Sequence, residues 1–214
     1  TDVSLWAPQL RLLVCPTYYS FDPVLEKYFG DKPAGYLTEL GGLLPSDADI
    51  FWTGNEVCSA AITTSDIEAI TAQFRRPVTL WDNYPVNDGA IRSQFLYLDP
   101  LSQRDRGLRP LLTGHLCNPM NQAMLSLPAL TGLAQLYGLA DAGNSLSAWL
   151  GEDVWRQLCA DQQLFQQGGL SALDEDRREE LATAYAAYPG EAAAEVACWL
   201  RGDYVFDPAC LTDD

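Results

Sequence analysis

Residues 49–81 read DIFWTGNEVCSAAITTSDIEAITAQFRRPVTLW, and this stretch decides the fold. Asp49–Thr53 (DIFWT) and Pro77–Trp81 (PVTLW) are short apolar runs with little polar alternation. That pattern marks strands buried on both faces, as in a parallel sheet covered by helices. Between them, Ser65–Phe74 has the helical period. Ile67, Ile70 and Phe74 recur on one face, and Ser65 with Glu68 has the spacing of a capping box. Strand, helix and strand together make a βαβ unit.

Working outward, Leu10–Cys15 (LRLLVC) and Leu111–Cys117 (LLTGHLC) add two more strands of the same kind. Val24–Leu44 offers another crossover, broken into short pieces by Gly30, Pro33 and Gly41-Gly42. Beyond the fourth strand the pattern is helical only. Asn118-Pro119 is expected to open a helix with Leu127, Leu130, Ala134 and Tyr137 on one side and a kink at Pro128. Further helices are expected over Ser145–Gln167 and over Asp174–Leu200, the latter interrupted at Pro189-Gly190. The run DEDRREE at 174–180 suits the solvated first turns of a helix, with acids at its positive end.

The 214 residues carry 29 acids against 13 bases, a net charge of −16. Such a surface repels phosphate backbones and anionic headgroups, so neither a nucleic acid nor a membrane is expected as partner. With 48% hydrophobic residues the chain is too apolar for a disordered acidic tail. Residues 151–214 hold 14 of the acids and only 4 bases, all arginine, so the helical end is the more solvated. Cys15, Cys58, Cys117, Cys159, Cys198 and Cys210 are widely spaced and mostly in apolar runs, which reads as buried free thiols in a reducing, cytoplasmic compartment. TDVSLWAPQL at the start has neither a basic leader nor a cleavage signature. The single histidine, His115, excludes multi-histidine zinc sites and a triad drawing on a second histidine, and reads as a strand-end residue. Neither metal nor cofactor is expected.

Four interior-type strands followed by helices alone leave two apolar sheet edges, which complete proteins cover or close into a barrel. The expectation is therefore that further strands precede this chain.

In parallel barrels the reactive groups follow the strand C-termini. Here those segments are Cys15–Tyr19, Trp52–Asn55, Trp81–Asp88 and Cys117–Pro119. They supply aromatic walls (Tyr19, Trp52, Trp81), amides that donate and accept (Asn83, Asn118) and a carboxylate, Asp88, able to accept from two hydroxyls. That set suits a neutral sugar, whose hydroxyls need paired partners and whose ring faces need aromatic contact. Each residue also has a plainer explanation. Trp52 and Trp81 suit a barrel core, Asn83, Asn87 and Asp88 suit turns, and Asn118 suits a helix N-cap. The sugar reading rests on all four segments agreeing.

The strings LLVCPTYY (12–19), DIFWTG (49–54), VTLWDNYPVND (78–88), LYLDP (96–100) and CNPMNQA (117–123) resemble the family 84 glycoside hydrolases, the protein O-GlcNAcases and bacterial β-N-acetylglucosaminidases. The resemblance implies an α/β fold: the C-terminal half of a (β/α)8 TIM barrel, about strands five to eight, over residues 1–139, with a helical region over 140–214. It implies retaining removal of terminal β-linked N-acetylglucosamine, in which the sugar's own acetamide oxygen attacks the anomeric carbon and forms an oxazoline. It further implies that Asp88 holds the outer hydroxyls with help from Asn83 and Asn118. Tyr19, Trp81 and Cys15 would line the acetamide pocket, the Tyr19 hydroxyl bonding toward the acetamide or oxazoline. The implied partners are a GlcNAc-bearing glycoprotein, peptide or glycan and the upstream half of the same barrel. The helical region is open to barrel packing, substrate-protein contacts or homodimerisation.

This sequence departs from the family pattern at Asn55, where a proline is usual, and at Tyr18, where an acid is usual. The family's adjacent catalytic aspartates occur as Asp-Asp only at Asp213-Asp214, in a polar tail. The expectation is that the catalytic pair lies upstream and that this chain alone is inactive. The alternative is a non-catalytic sugar-binding or scaffold protein derived from the barrel.

Overall fold

A computed structural model describes residues 9–204, without the side chains of 140, 142 and 144. The N-terminal TDVSLWAP, Cys210 and Asp213-Asp214 lie outside the described residues. The fold is mixed α/β, and its contacts divide it into two units. The first comprises the residues up to Asp82 with Gln103–Leu116. The second comprises Asn83–Ser102 with the residues from Cys117 onward.

The first unit carries the sheet, in the order β1 (Leu13–Val14), β2 (Asp49–Trp52), β3 (Val78–Asp82), β4 (Leu112–Cys117, whose last residue falls to the second unit). β1 pairs with β2 and β2 with β3 in parallel, with Leu13 opposite Asp49 and Trp52 opposite Leu80. On one face of the inner strands Ile50, Trp52, Val78 and Leu80 are wholly buried, and on the other Asp49 and Thr79 are buried while Phe51 is half-buried and Trp81 exposed, so burial on both faces holds only in part. It fails on the outer strands, where Leu13 in β1 and Leu116 in β4 are exposed and each strand has one neighbour in the sheet among the described residues. The segment Val24–Leu44 forms two short helices, α1 (Val24–Phe29) and α2 (Tyr36–Leu43). α3 (Thr64–Phe74) buries Ile67, Ile70 and Phe74, the face its period predicts, against Trp52, Val78 and Leu80.

Its cap is displaced from the expected one. Thr63, not Ser65, is the N-cap, and its partner is Asp66, not Glu68. The Thr63 backbone N–H donates to Asp66 Oδ2 at 2.8 Å, and Thr63 Oγ1 accepts from the Asp66 N–H at 3.2 Å. Two overlapping sets of capping residues lie side by side here, and the shorter aspartate of the earlier one closes the box.

In the second unit, no helix begins at Asn118-Pro119. A 3₁₀ turn at Met124–Ser126 leads into α4 (Leu127–Leu136), with Pro128 in its first turn. There the missing N–H belongs to a group with no helical partner, so Pro128 starts the helix and does not kink it. The buried face is Pro128, Ala129, Thr131 and Gly132, not the larger residues expected, because Gly132 packs directly against the Pro100-Leu101 backbone. Among the described residues four α-helices follow: α5 (Leu146–Leu150), α6 (Glu152–Gln163, running into a π turn), α7 (Glu175–Ala186) and α8 (Glu191–Arg201). Asp174 caps α7 by accepting from the Arg177 N–H at 2.8 Å. These helices enclose a core with Leu96, Leu98, Met120 and Leu125. Glu195 of α8 accepts from the Met124 and Leu125 N–H groups at 3.0 Å each, tying α8 to the turn that opens α4.

The expectation of buried thiols does not hold. Cys15 and Cys159 are exposed and Cys58, Cys117 and Cys198 half-buried. Cys15 and Cys117 sit at strand ends, Cys58 in a turn and Cys159 and Cys198 on helices, settings that apolar neighbours in the sequence do not reveal. Among the described residues no helix is long and apolar enough to cross a membrane.

Candidate active site

Three sequence-predicted residues belong to the first unit. Cys15 follows β1 and is exposed, and burial of part of its surface pushes the thiol up from its usual pKa. Tyr19 is half-buried, and its carbonyl accepts from the Thr53 N–H at 2.9 Å, which anchors the turn after β1 to the end of β2. Trp81, in β3, is 37% exposed and packs edge-to-face on Phe51 at 5.0 Å, so it is not core. Trp52 is the opposite case: at 0% exposure between Phe21 and Phe74 it is core, and it leaves the set of sugar-facing walls. After it, Gly54 has φ of +110°, and a Cβ there would collide with Ser59 Oγ, so the Trp-Thr-Gly turn requires glycine.

The two departures from the family pattern have local explanations. The Tyr18 ring is buried edge-on to Tyr36 while its hydroxyl donates to the Gly30 carbonyl at 2.8 Å. Asn55 donates to Asp66 Oδ1 at 2.7 Å, extending the α3 cap.

Beside Trp81, a buried cluster escaped the sequence reading. Arg104 donates to both oxygens of Asp82, at 2.7 and 2.6 Å, and also to the carbonyls of Ala60 and Ser59. His115 Nε2 lies 3.1 Å from Asp82 Oδ2. Side-chain exposure is 1% for Asp82, 3% for Arg104 and 2% for His115. Burial opposes ionisation of Asp82, but hydrogen bonds from Arg104 and His115 outweigh it and hold the carboxyl below its usual range. His115 is thus within β4, a partner of Asp82, and not a strand-end residue. Nothing local announces this cluster, since Arg104 lies 22 residues from Asp82 and His115 lies 33.

The second unit holds the other three predicted residues. Asn118 Nδ2 donates to Asn83 Oδ1 at 3.1 Å, so these amides meet, both half-buried. Asn118 is therefore not an N-cap. Asp88 is exposed, and its carboxylate has no hydrogen-bond partner among the described residues. Next to it Asn87 is buried and bonded to Phe95, Asn121 and Gln122. The peptide Tyr84-Pro85 is cis, and Arg92 donates from Nε to the Val86 carbonyl at 3.0 Å.

The family model for β-N-acetylglucosaminidases matches residues 7–191. Protein O-GlcNAcases of rat (Rattus norvegicus) and mouse (Mus musculus) are each 31% identical over 125 residues, which is 58% of this chain and 13% of theirs. Among solved structures, a mutant O-GlcNAc hydrolase of Thermobaculum terrenum superposes with a TM-score of 0.65 at 28% identity, over 94% of this chain and 50% of that one. A second, CpGH84B, shares the fold with a TM-score of 0.55 at 23% identity, over 90% of this chain and 34% of its own. The chain belongs to the β-N-acetylglucosaminidase family of glycoside hydrolases. It spans half the length of the Thermobaculum enzyme and 13% of the curated relatives.

Proposed function

We propose that this chain is the second half of a (β/α)8 barrel, residues 1–139, with a helical region over 140–214, in a retaining enzyme that removes terminal β-linked N-acetylglucosamine from glycoproteins or glycans. The observation that carries the reading is the arrangement within the second unit. Two amides meet at 3.1 Å, and an uncommitted carboxylate stands on the loop that one of them opens. Asp88 accepts from two outer hydroxyls of the sugar, while Asn83 and Asn118 add polar contacts. The family resemblance assigns Cys15, Tyr19 and Trp81 to the acetamide: indole and thiol against its methyl, and the Tyr19 hydroxyl toward its oxygen.

In this mechanism the acetamide oxygen forms a bond to the anomeric carbon as the glycosidic bond breaks, and the departing oxygen takes a proton from a general acid. Water then opens the oxazoline, giving its proton back to the same group. That acid and the group orienting the acetamide are an upstream Asp-Asp pair in the complete protein, and the chain alone is inactive. The exposed apolar residues Leu10 and Leu12 just before β1 and Leu13 within it, at an outer strand of the sheet, favour a further strand there. A reducing, cytoplasmic location belongs to the same proposal and rests on the cysteine spacing.

The test is expression of the 214 residues with and without upstream sequence. Hydrolysis of an aryl β-N-acetylglucosaminide by the longer product only is the expected result. A cooperatively melting 214-residue product that binds N-acetylglucosamine by itself, with no activity in the longer one, supports a non-catalytic sugar-binding protein in its place.

A further inference from the structure

The Asp88 loop and the Asn118 loop are joined at two places. At one end Asn118 meets Asn83. At the other, Asn87 uses its whole side-chain amide. Nδ2 donates to Gln122 Oε1 at 2.8 Å and to the Phe95 carbonyl at 3.1 Å, while Oδ1 accepts from the Asn121 N–H at 3.0 Å. Both partners are 1% exposed. Gln122 is itself fastened to the start of α4, its carbonyl accepting from Ser126 Oγ at 2.9 Å. Its Nε2 is buried with no hydrogen-bond partner among the described residues. An unsatisfied buried donor is destabilising, so the polar service of this side chain is the single acceptor it offers to Asn87. A turn-forming asparagine alone would need none of this, since its side chain would bond the backbone of its own turn.

We propose that Asn87 and Gln122 are a positioning pair, which sets the Asp88 carboxylate at a fixed place relative to the Asn83–Asn118 amides and so governs affinity for the outer sugar hydroxyls. The inference rests on the sugar-binding role given above to Asp88. Neither member of the pair touches the sugar. They act through the backbone of the residue next to Asn87 and of the loop it is bonded to.

The test uses the complete protein and an aryl β-N-acetylglucosaminide, with KM, kcat and melting temperature measured for each variant. Gln122→Met, which keeps the length and removes the acceptor, is expected to raise KM about tenfold with kcat within about threefold, the scale of one misplaced polar contact in binding. Gln122→Glu, which keeps an acceptor oxygen, is expected to retain the parental KM and serves where the methionine variant does not fold. Thr131→Val removes another buried hydrogen bond of this unit, from Thr131 Oγ1 to the Pro128 carbonyl. It is expected to lower the melting temperature and leave KM alone. In an Asp88→Ala background Gln122→Met is expected to have no further effect on KM. A parental KM in Gln122→Met, or an equally raised KM in Gln122→Glu, overturns the proposal while leaving the role of Asp88 standing. Parental kinetics in Asp88→Ala itself remove the sugar-binding reading first.

Discussion

Asn118 Nδ2 donates to Asn83 Oδ1 across 3.1 Å, joining residues that lie 35 apart in the chain. The bond orients both amides, leaving the Asn118 carbonyl oxygen and the Asn83 amino group to face other partners. Asn118→Leu removes the donor of this bond and with it the orientation of the Asn83 amide. On the proposed function, kcat/KM for an aryl β-N-acetylglucosaminide falls roughly 10- to 100-fold in the complete protein, the scale of one neutral hydrogen bond plus misorientation. An unchanged value would leave the pair a loop fastener only.

Asp88 gives a larger effect. A carboxylate that accepts from two hydroxyls makes two charge-assisted bonds of about 1.5–3 kcal/mol each. Asp88→Ala is therefore expected to lower kcat/KM by roughly 10²–10⁴-fold. Because the side chain is exposed, its melting temperature should stay close to the parent's. Near-normal kinetics would show that Asp88 does no more than shape the turn.

The Asp82–Arg104 pair predicts stability instead. Arg104→Leu leaves Asp82 buried beside His115 without its main partner, a change that costs about 3–5 kcal/mol, measurable by urea unfolding. The pH dependence follows from the depressed Asp82 pKa. The folded state binds this proton less readily than the unfolded one. The stabilisation is therefore fully present above the unfolded value of about 3.9 and is lost as pH falls through the lower folded value. Asp82→Asn should flatten that acid limb. An identical acid limb in the variant would show that Asp82 does not contribute to it.

The cap of α3 separates two adjacent hydroxyls. Thr63→Ala is expected to destabilise the protein by about 1 kcal/mol, while Ser65→Ala should change it by less than about 0.5 kcal/mol. The reverse order in thermal unfolding would restore the Ser65–Glu68 box that the local spacing suggests.

The candidate residues of this site are all named from the sequence. Asn83, Asp88 and Asn118 follow strand ends, and both the chemistry of their side chains and the family resemblance single them out. What was illegible were their supports. Asn87 looked like a turn residue, Gln122 carried no signal, and Arg104 lies in a loop with nothing to mark it as the partner of Asp82. Trp52 and Trp81 have the same side chain at the same kind of position, yet one is 0% and the other 37% exposed. Only the neighbours decide between them.

The sequence by itself determined the four strands, the βαβ unit around Ile67, Ile70 and Phe74, the broken helices at Pro189-Gly190 and the acidic cap of α7. Each of these follows from backbone period or turn chemistry within about ten residues. The tertiary structure decided which of two capping boxes closes, where α4 begins, that the five described cysteines are not buried, and that Asp82, Arg104 and His115 form one buried group. Those outcomes depend on partners brought together from distant parts of the chain. A buried amide or charge is stable only where such a partner completes its hydrogen bonds.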